Sequence, residues 1–261
     1  MRPRFRDLES PFIASIVQER SPEATMANIL NSEHDGAKGF MVDITYLRDE
    51  DRSLEVLTRI FQITNRPIMP LVYRSANMTS DRCTDCDREV EMFKALDAGA
   101  SSIDVMGDLY DEGAVHELTR KPEAIAKQQD LIARLHERGA EVLISSHTPD
   151  FMSAEEVLDH LNAQVERGAD IAKIITNCNT EKEFLESVRT LILLKQEMKV
   201  PFIYLNNGKM GRMQRFIAPQ LGCMLNFAIE KFNPQSLGVQ PTVAAARDVL
   251  HEMSWRMNFT N

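Results

Sequence analysis

The sequence predicts an α/β protein folded as a closed (β/α)8 TIM barrel, with its active site at the C-terminal face of the strands. Strand-like and helix-like segments alternate along all 261 residues, and eight such units fill that length. No Pro/Gly/Ser linker or low-complexity stretch divides the chain, so 1–261 reads as a single domain, residues 1–10 forming a short, loose N-terminal arm. The alternative is an open doubly wound sheet. No Gly-x-Gly-x-x-Gly follows the first strand and no Walker motif occurs, so nucleotide binding lacks support.

The first strand is the apolar run at 12–17, and Ser21-Pro22-Glu23 then opens a helix with a cap residue followed by proline. Strand two is read at 39–44 and its helix at 53–62. Strand three covers 67–73 and leads through a polar loop, 77–85, to a helix at 87–97. Strand four, 102–106, is followed by the long polar loop 107–121 and a helix at 122–138. Strand five, 141–146, ends at His147 and precedes a helix at 153–167. Strand six is 171–175 with a helix at 180–198, and strand seven is 201–205 with a short helix at 212–220. Strand eight, 224–227, and a helix over 241–257 complete the set. The pairs Gly36-Ala37, Gly99-Ala100, Gly139-Ala140 and Gly168-Ala169 recur where a helix stops before a strand. Glycine there supplies a left-handed stop. Met41, Met69, Met106 and Met224 fall on strands and are expected in the core.

Composition narrows the function classes. A formal net charge of −9 and a pI near 5.3 argue against non-specific nucleic-acid binding. A few arginines can still build a local anion site. No apolar stretch approaches the ~20 residues of a membrane span, and no hydrophobic signal core follows the basic start, so a cytoplasmic protein is expected. Cys83-Thr84-Asp85-Cys86 has a C-x-x-C spacing, but no second ligand pair accompanies it. Free loop thiols, with no metal, are the expectation.

Two residues carry the chemistry. Lys173 sits among Ile171, Ala172, Ile174 and Ile175, surroundings that make a charged amine costly. A desolvated, neutral lysine can attack a ketone and form an imine. The alternative is a buried ion pair, for instance with Asp104. His147 ends the preceding strand and is placed to move protons, or simply to bond backbone. In a barrel Asp43 and Thr45 (strand two), Arg74 (three), Arg215 (after seven) and Gln240 (after eight) converge on the same face. Arg74 and Arg215 beside a lysine suggest a carboxylate or phosphate subsite, with Lys209 and Arg212 as alternatives. Met78 lies in the loop beside this face.

These motifs, in this order, resemble the type I 3-dehydroquinate dehydratases. Ile144-Ser145-Ser146-His147 resembles the family strand that ends in the catalytic histidine. Gly168-Ala169-Asp170-Ile171-Ala172-Lys173-Ile174 resembles its Schiff-base lysine motif. Gly211-Arg212-Met213-Gln214-Arg215 resembles the segment whose arginine holds the substrate carboxylate, and Gly238-Val239-Gln240 the turn whose glutamine contacts substrate. Arg74-Ser75-Ala76-Asn77-Met78 resembles Arg-Ser-x-x-Glu, with methionine in place of the glutamate that orients the histidine. Asp43-Ile44-Thr45 stands where the family has Glu-x-Arg.

The resemblance implies a lyase of aromatic amino acid biosynthesis, the shikimate pathway, with Lys173 as imine nucleophile and His147 as general acid/base. Arg215, Gln240, Arg74, Asp43, Thr45 and Met78 would form the substrate shell. It implies no cofactor beyond the covalent imine, a small keto acid as substrate, no nucleic acid or membrane as partner, and a homodimer. The departures at Met78 and Thr45 predict weak or altered action on 3-dehydroquinate. A divergent class I aldolase or lyase on another keto acid, or a non-catalytic metabolite-binding protein, are the alternatives.

Overall fold

The computed structural model describes residues 2–74, 84–232 and 238–253. Eight parallel strands form the ring: β1 (Phe12–Val17), β2 (Gly39–Asp43), β3 (Ile68–Leu71), β4 (Ser102–Met106), β5 (Glu141–His147), β6 (Ile171–Asn177), β7 (Phe202–Asn207) and β8 (Leu225–Ala228). They pair in two four-stranded runs, β3-β2-β1-β8 and β4-β5-β6-β7. Backbone bonds tie the two seams: Ser101 N donates to Ile68 O at 3.2 Å, and Met224 N to Phe202 O at 2.9 Å. The expected barrel is the observed fold.

Helices α1 (Pro22–Asp35), α2 (Leu54–Phe61), α3 (Asp85–Asp97), α4 (Pro122–Glu137), α5 (Ala154–Val165), α6 (Glu181–Glu197), α7 (Gly211–Ile217) and α8 (Val243–Met253) alternate with the strands. Local chemistry sets their starts. The Ser21 hydroxyl accepts from Ala24 N with proline at the first helical position. Ser153 and Glu156 form a reciprocal capping box on α5, as Thr180 and Glu183 do on α6. Gly36, at φ 118°, stops α1 in the left-handed region that glycine enters freely. The third strand is shorter than the apolar run 67–73. Tyr73 and Arg74 leave the ladder and turn their side chains to other partners.

The N-terminal arm is docked rather than loose. Phe5 is wholly buried, and the main-chain N–H groups of Phe5 and Arg6 donate to the Glu141 carboxylate at 3.1 and 3.0 Å. A Cβ on Gly39 would meet the Phe5 ring at 2.9 Å, so glycine makes room for this plug under β2. The Arg2 guanidinium donates to the carbonyls of Phe61, Thr64, Arg66 and Gly99. A buried carboxylate satisfied by two backbone amides, a serine and an arginine is a strong anchor. None of those partners is near Glu141 in sequence, so no local pattern marks it.

Met41, Met69, Met106 and Met224 are all buried, as expected. Period-two alternation then sorts the strand ends. On β5 and β6, His147, Lys173 and Ile175 reach a cavity at the barrel mouth, while Ile144 and Ile174 pack among buried apolar residues.

Candidate active site

The cavity at the C-terminal ends of the strands encloses about 310 Å³. Lys173, His147, Asp43, Arg215 and Gln240 line it, together with Glu117, Tyr73 and a wall of Ile16, Met41, Leu71, Ile175 and Phe227.

Lys173 is fixed from behind. The Gln164 side chain of α5 brackets its backbone, accepting from Lys173 N and donating to Lys173 O, each at 2.9 Å. In front, Lys173 Nζ lies 3.2 Å from His147 Nε2, 3.4 Å from the Tyr73 hydroxyl and 3.8 Å from Asp104 Oδ2. The Phe227 and Tyr73 rings flank it with centroids at 5.4 and 5.7 Å. Burial pushes the Lys173 ammonium down from the usual lysine range. Asp104 and Glu117 oppose that shift and Arg215 adds to it. The ion pair with Asp104 exists, but it is long and shared. Asp104 also accepts from Ser145 Oγ at 2.5 Å and from the Tyr73 hydroxyl at 3.2 Å. Burial raises the Asp104 carboxyl, with Lys173 as the main counterweight.

His147 is held on its other side. Its main-chain N–H and its Nδ1 both meet Glu117 Oε2, at 2.7 and 2.9 Å. Burial and the neighbouring ammonium lower the imidazole, and the Glu117 carboxylate pulls the other way. Burial would raise Glu117, but its bonds to His147 and the nearby positive charges outweigh that, and its net shift is downward. The sequence pattern leaves this histidine without a carboxylate, because Met78 replaces the family glutamate. Neither Asp43 nor Asp104 bonds the imidazole; the carboxylate that does is Glu117. Met78 itself lies outside the described residues.

Arg215 is buried, and its guanidinium donates to Asn206 O and to Asn207 Oδ1, both at 2.9 Å. No carboxylate lies within ion-pair distance of it among the described residues. Desolvation pulls it down to about 10. Such a cation in a cavity wall suits an incoming carboxylate. Asp43 accepts from Gln18 Nε2 at 3.3 Å and from the Thr45 hydroxyl at 2.6 Å. Burial pushes the Asp43 carboxyl up to about 6.

The remaining expected residues are placed differently. Thr45 is buried against Asp43 and is not in the cavity wall. Arg74 spends its guanidinium on a bidentate pair with Asp85, at 3.0 and 2.8 Å, and on Asp108 at 2.6 Å, also outside the wall. Arg212 stacks over Phe232 at 5.5 Å and Lys209 does not line the cavity. Among the described residues no cluster of three or more His, Cys, Asp or Glu is arranged for a metal. Cys86 is exposed and Cys83 is outside the described residues. No described helix is long and apolar enough to cross a membrane.

Two site residues escape sequence reading. Glu117 sits deep in an irregular loop, where no period assigns a face. Tyr73 reads as the last apolar residue of a strand, and its hydroxyl is the part that matters. Asp104, by contrast, lies on the inner face that alternation assigns.

The sequence profile of the type I 3-dehydroquinase family matches residues 40–256. A 3-dehydroquinate dehydratase of Alkaliphilus oremlandii is 34% identical over 107 residues, 40% of this chain and 41% of that protein. One from Lactiplantibacillus plantarum is 27% identical over 101 residues, 38% of this chain and 40% of that protein. The chain thus spans about two fifths of the length of these curated relatives. The crystal structure of 3-dehydroquinate dehydratase from Geobacillus kaustophilus superposes with a TM-score of 0.80 at 16% identity, covering 97% of each chain. The Clostridium difficile type I enzyme, covalently modified by comenic acid, gives 0.77 at 18% identity over 97% of this chain and 98% of that one. At such identities the structural likeness speaks to the fold alone.

Proposed function

We propose, since the chain belongs to the type I 3-dehydroquinase family, that it eliminates water from 3-dehydroquinate or a related cyclic keto acid through an imine on Lys173. One observation carries the reading: a buried amine, 3.2 Å from an imidazole nitrogen, in the wall of a cavity that also holds Arg215.

Lys173 Nζ attacks the C3 carbonyl carbon, and the carbinolamine loses water to leave a protonated imine. That cation draws electrons from C2, and His147 Nε2 takes the C2 proton. The electron pair returns from the enamine as the C1–O bond breaks, and His147 protonates the departing hydroxyl. Hydrolysis of the imine restores Lys173 and releases 3-dehydroshikimate. Arg215 anchors the carboxylate and Gln240, from the neighbouring β8–α8 loop, contacts the substrate beside it. Lysine supplies the electron sink, so the reaction needs no cofactor. A cytoplasmic homodimer is the setting that goes with this reading; sedimentation velocity tests the dimer.

Borohydride trapping with 3-dehydroquinate, followed by peptide mass mapping, is the test, with K173A as control. A stable adduct on Lys173 is expected. A second reading, a different keto acid, is favoured by Thr45 and Arg74, whose polar groups are spent on protein partners while much of the cavity wall is apolar. An adduct with another keto acid and none with 3-dehydroquinate would select it. Silence across keto acids would leave a metabolite-binding protein.

A further inference from the structure

We propose that Glu117, carried by the loop between β4 and α4, is the positioning residue for His147 in this chain, and that Gly107 and Ser146 are built to deliver it. The inference rests on the acid/base reading of His147 but assigns a residue that reading does not need.

The geometry is specific. Glu117 Oε2 accepts from two donors of one residue, the His147 main-chain N–H and the ring Nδ1. Two bonds to the same residue fix the ring's rotation as well as its position. With the proton on Nδ1, Nε2 keeps its lone pair toward Lys173, 3.2 Å away. His147 therefore stands ready to accept a proton without first changing tautomer.

The loop holds this carboxylate against its own preference. His116 and Glu117 are consecutive non-glycine residues at φ 54° and 49°, in the left-handed region. Such residues persist only where the surroundings over-determine them, and they concentrate at functional sites. Here the determinants are visible. Ser146 Oγ donates to Glu117 O at 2.8 Å, Thr119 N donates to Gly107 O at 3.0 Å, and His116 Nδ1 meets Thr148 Oγ1 at 2.9 Å. A Cβ on Gly107 would lie 2.4 Å from Glu117 O and 2.7 Å from Ser146 Oγ. Since one of those atoms is backbone, any side chain at 107 must push the Glu117 segment away. The loop is thus clamped at the C-terminal end of β5, where Ser146 and Thr148 flank His147 and bond the backbone of Glu117 and the side chain of His116.

The test combines tautomer, kinetics and trapping. In wild-type protein, ¹⁵N NMR of His147 should show Nδ1 protonated and Nε2 bare near neutral pH. E117Q should lower kcat by about 10²-fold with KM changed by no more than about threefold, because the outer partner of a base is lost. E117D should recover part of that loss. Borohydride trapping on Lys173 should survive in E117Q, since the amine is untouched. The charged groups facing His147 are Glu117, Lys173 and Asp104, with the Tyr73 hydroxyl beside them. Removing the carboxylate among them should move the acid limb of kcat/KM to lower pH. G107A, with Glu117 chemically intact, should reproduce the kcat loss. A wild-type His147 protonated on Nε2 would overturn the proposal, as would an E117Q variant with unchanged kcat. The tautomer readout decides even if E117Q fails to fold. Failure of wild-type trapping would instead sink the imine reading and leave the tautomer result standing.

Discussion

The two halves of the barrel mouth use their polar residues in opposite ways. On the β5–β6 side, Lys173 and His147 point their reactive nitrogens at each other and into the cavity. On the β2–β3 side, Thr45 bonds Asp43 and Arg74 is occupied by Asp85 and Asp108. One half presents its reactive nitrogens to the cavity, while in the other Thr45 and Arg74 are committed to protein partners. A pocket divided this way can keep a reaction type while its grip on a substrate's hydroxyls changes, because bond-making groups and recognition groups sit on different strands.

The largest expected effect comes from the reactive half. K173A should abolish both turnover and the borohydride adduct, read by the same mass mapping as in wild type. R215K follows. A lysine cannot reproduce the guanidinium fork, and a lost charged hydrogen bond of about 1.5–3 kcal/mol should raise KM by about 10- to 100-fold. Steady-state kinetics with a keto acid substrate would show it. Near wild-type KM in R215K would move the carboxylate subsite elsewhere.

Asp43 sharpens the contrast through stability. Its folded value is about 6 against an ordinary 3.8, so the folded state binds its proton more tightly than the unfolded chain. That advantage is complete below about pH 4 and is lost as pH rises through about 6. By linkage, wild type should lose about 3 kcal/mol of stability over that window from this residue. D43N should lack that component, and the difference between the two in urea unfolding at pH 4 and pH 7 measures it.

Y73F removes a hydroxyl shared by Lys173, Asp104 and Ser145. One neutral hydrogen bond near 1 kcal/mol predicts a kcat lower by about fivefold. R74A should have the smallest kinetic effect. Breaking its partly buried ion pairs should cost about 1–3 kcal/mol of stability, seen by thermal melting, while KM stays within about twofold. A large KM effect in R74A would erase the division between the two halves.

The sequence makes the regular parts legible. Apolar runs with Gly-Ala stops place eight strands, and a polar residue at a strand's end is read directly, which is why Lys173 and His147 stand out. Arg215 and Gln240 follow from motif order. Glu117 does not, because its position depends on two left-handed residues and a close approach to Gly107. Those are tertiary facts with no period. A glycine directly after β4, ahead of a long polar loop, is the one local hint. The same blindness covers Arg74. Its type and place suit substrate binding, and only the folded positions of Asp85 and Asp108 reveal its other commitment.

The docked arm bears on how this barrel comes together. Phe5 and Glu141 are bonded across 136 residues of sequence, and Arg2 reaches carbonyls 59 to 97 residues away. Contacts this distant carry a large closure entropy and form late. A chain that has assembled only its first four strands has no carboxylate to receive the amides of Phe5 and Arg6. The floor therefore couples the two halves of the ring into one cooperative unit, and a half-barrel fragment ending before β5 would be an open cup rather than an autonomous folding intermediate.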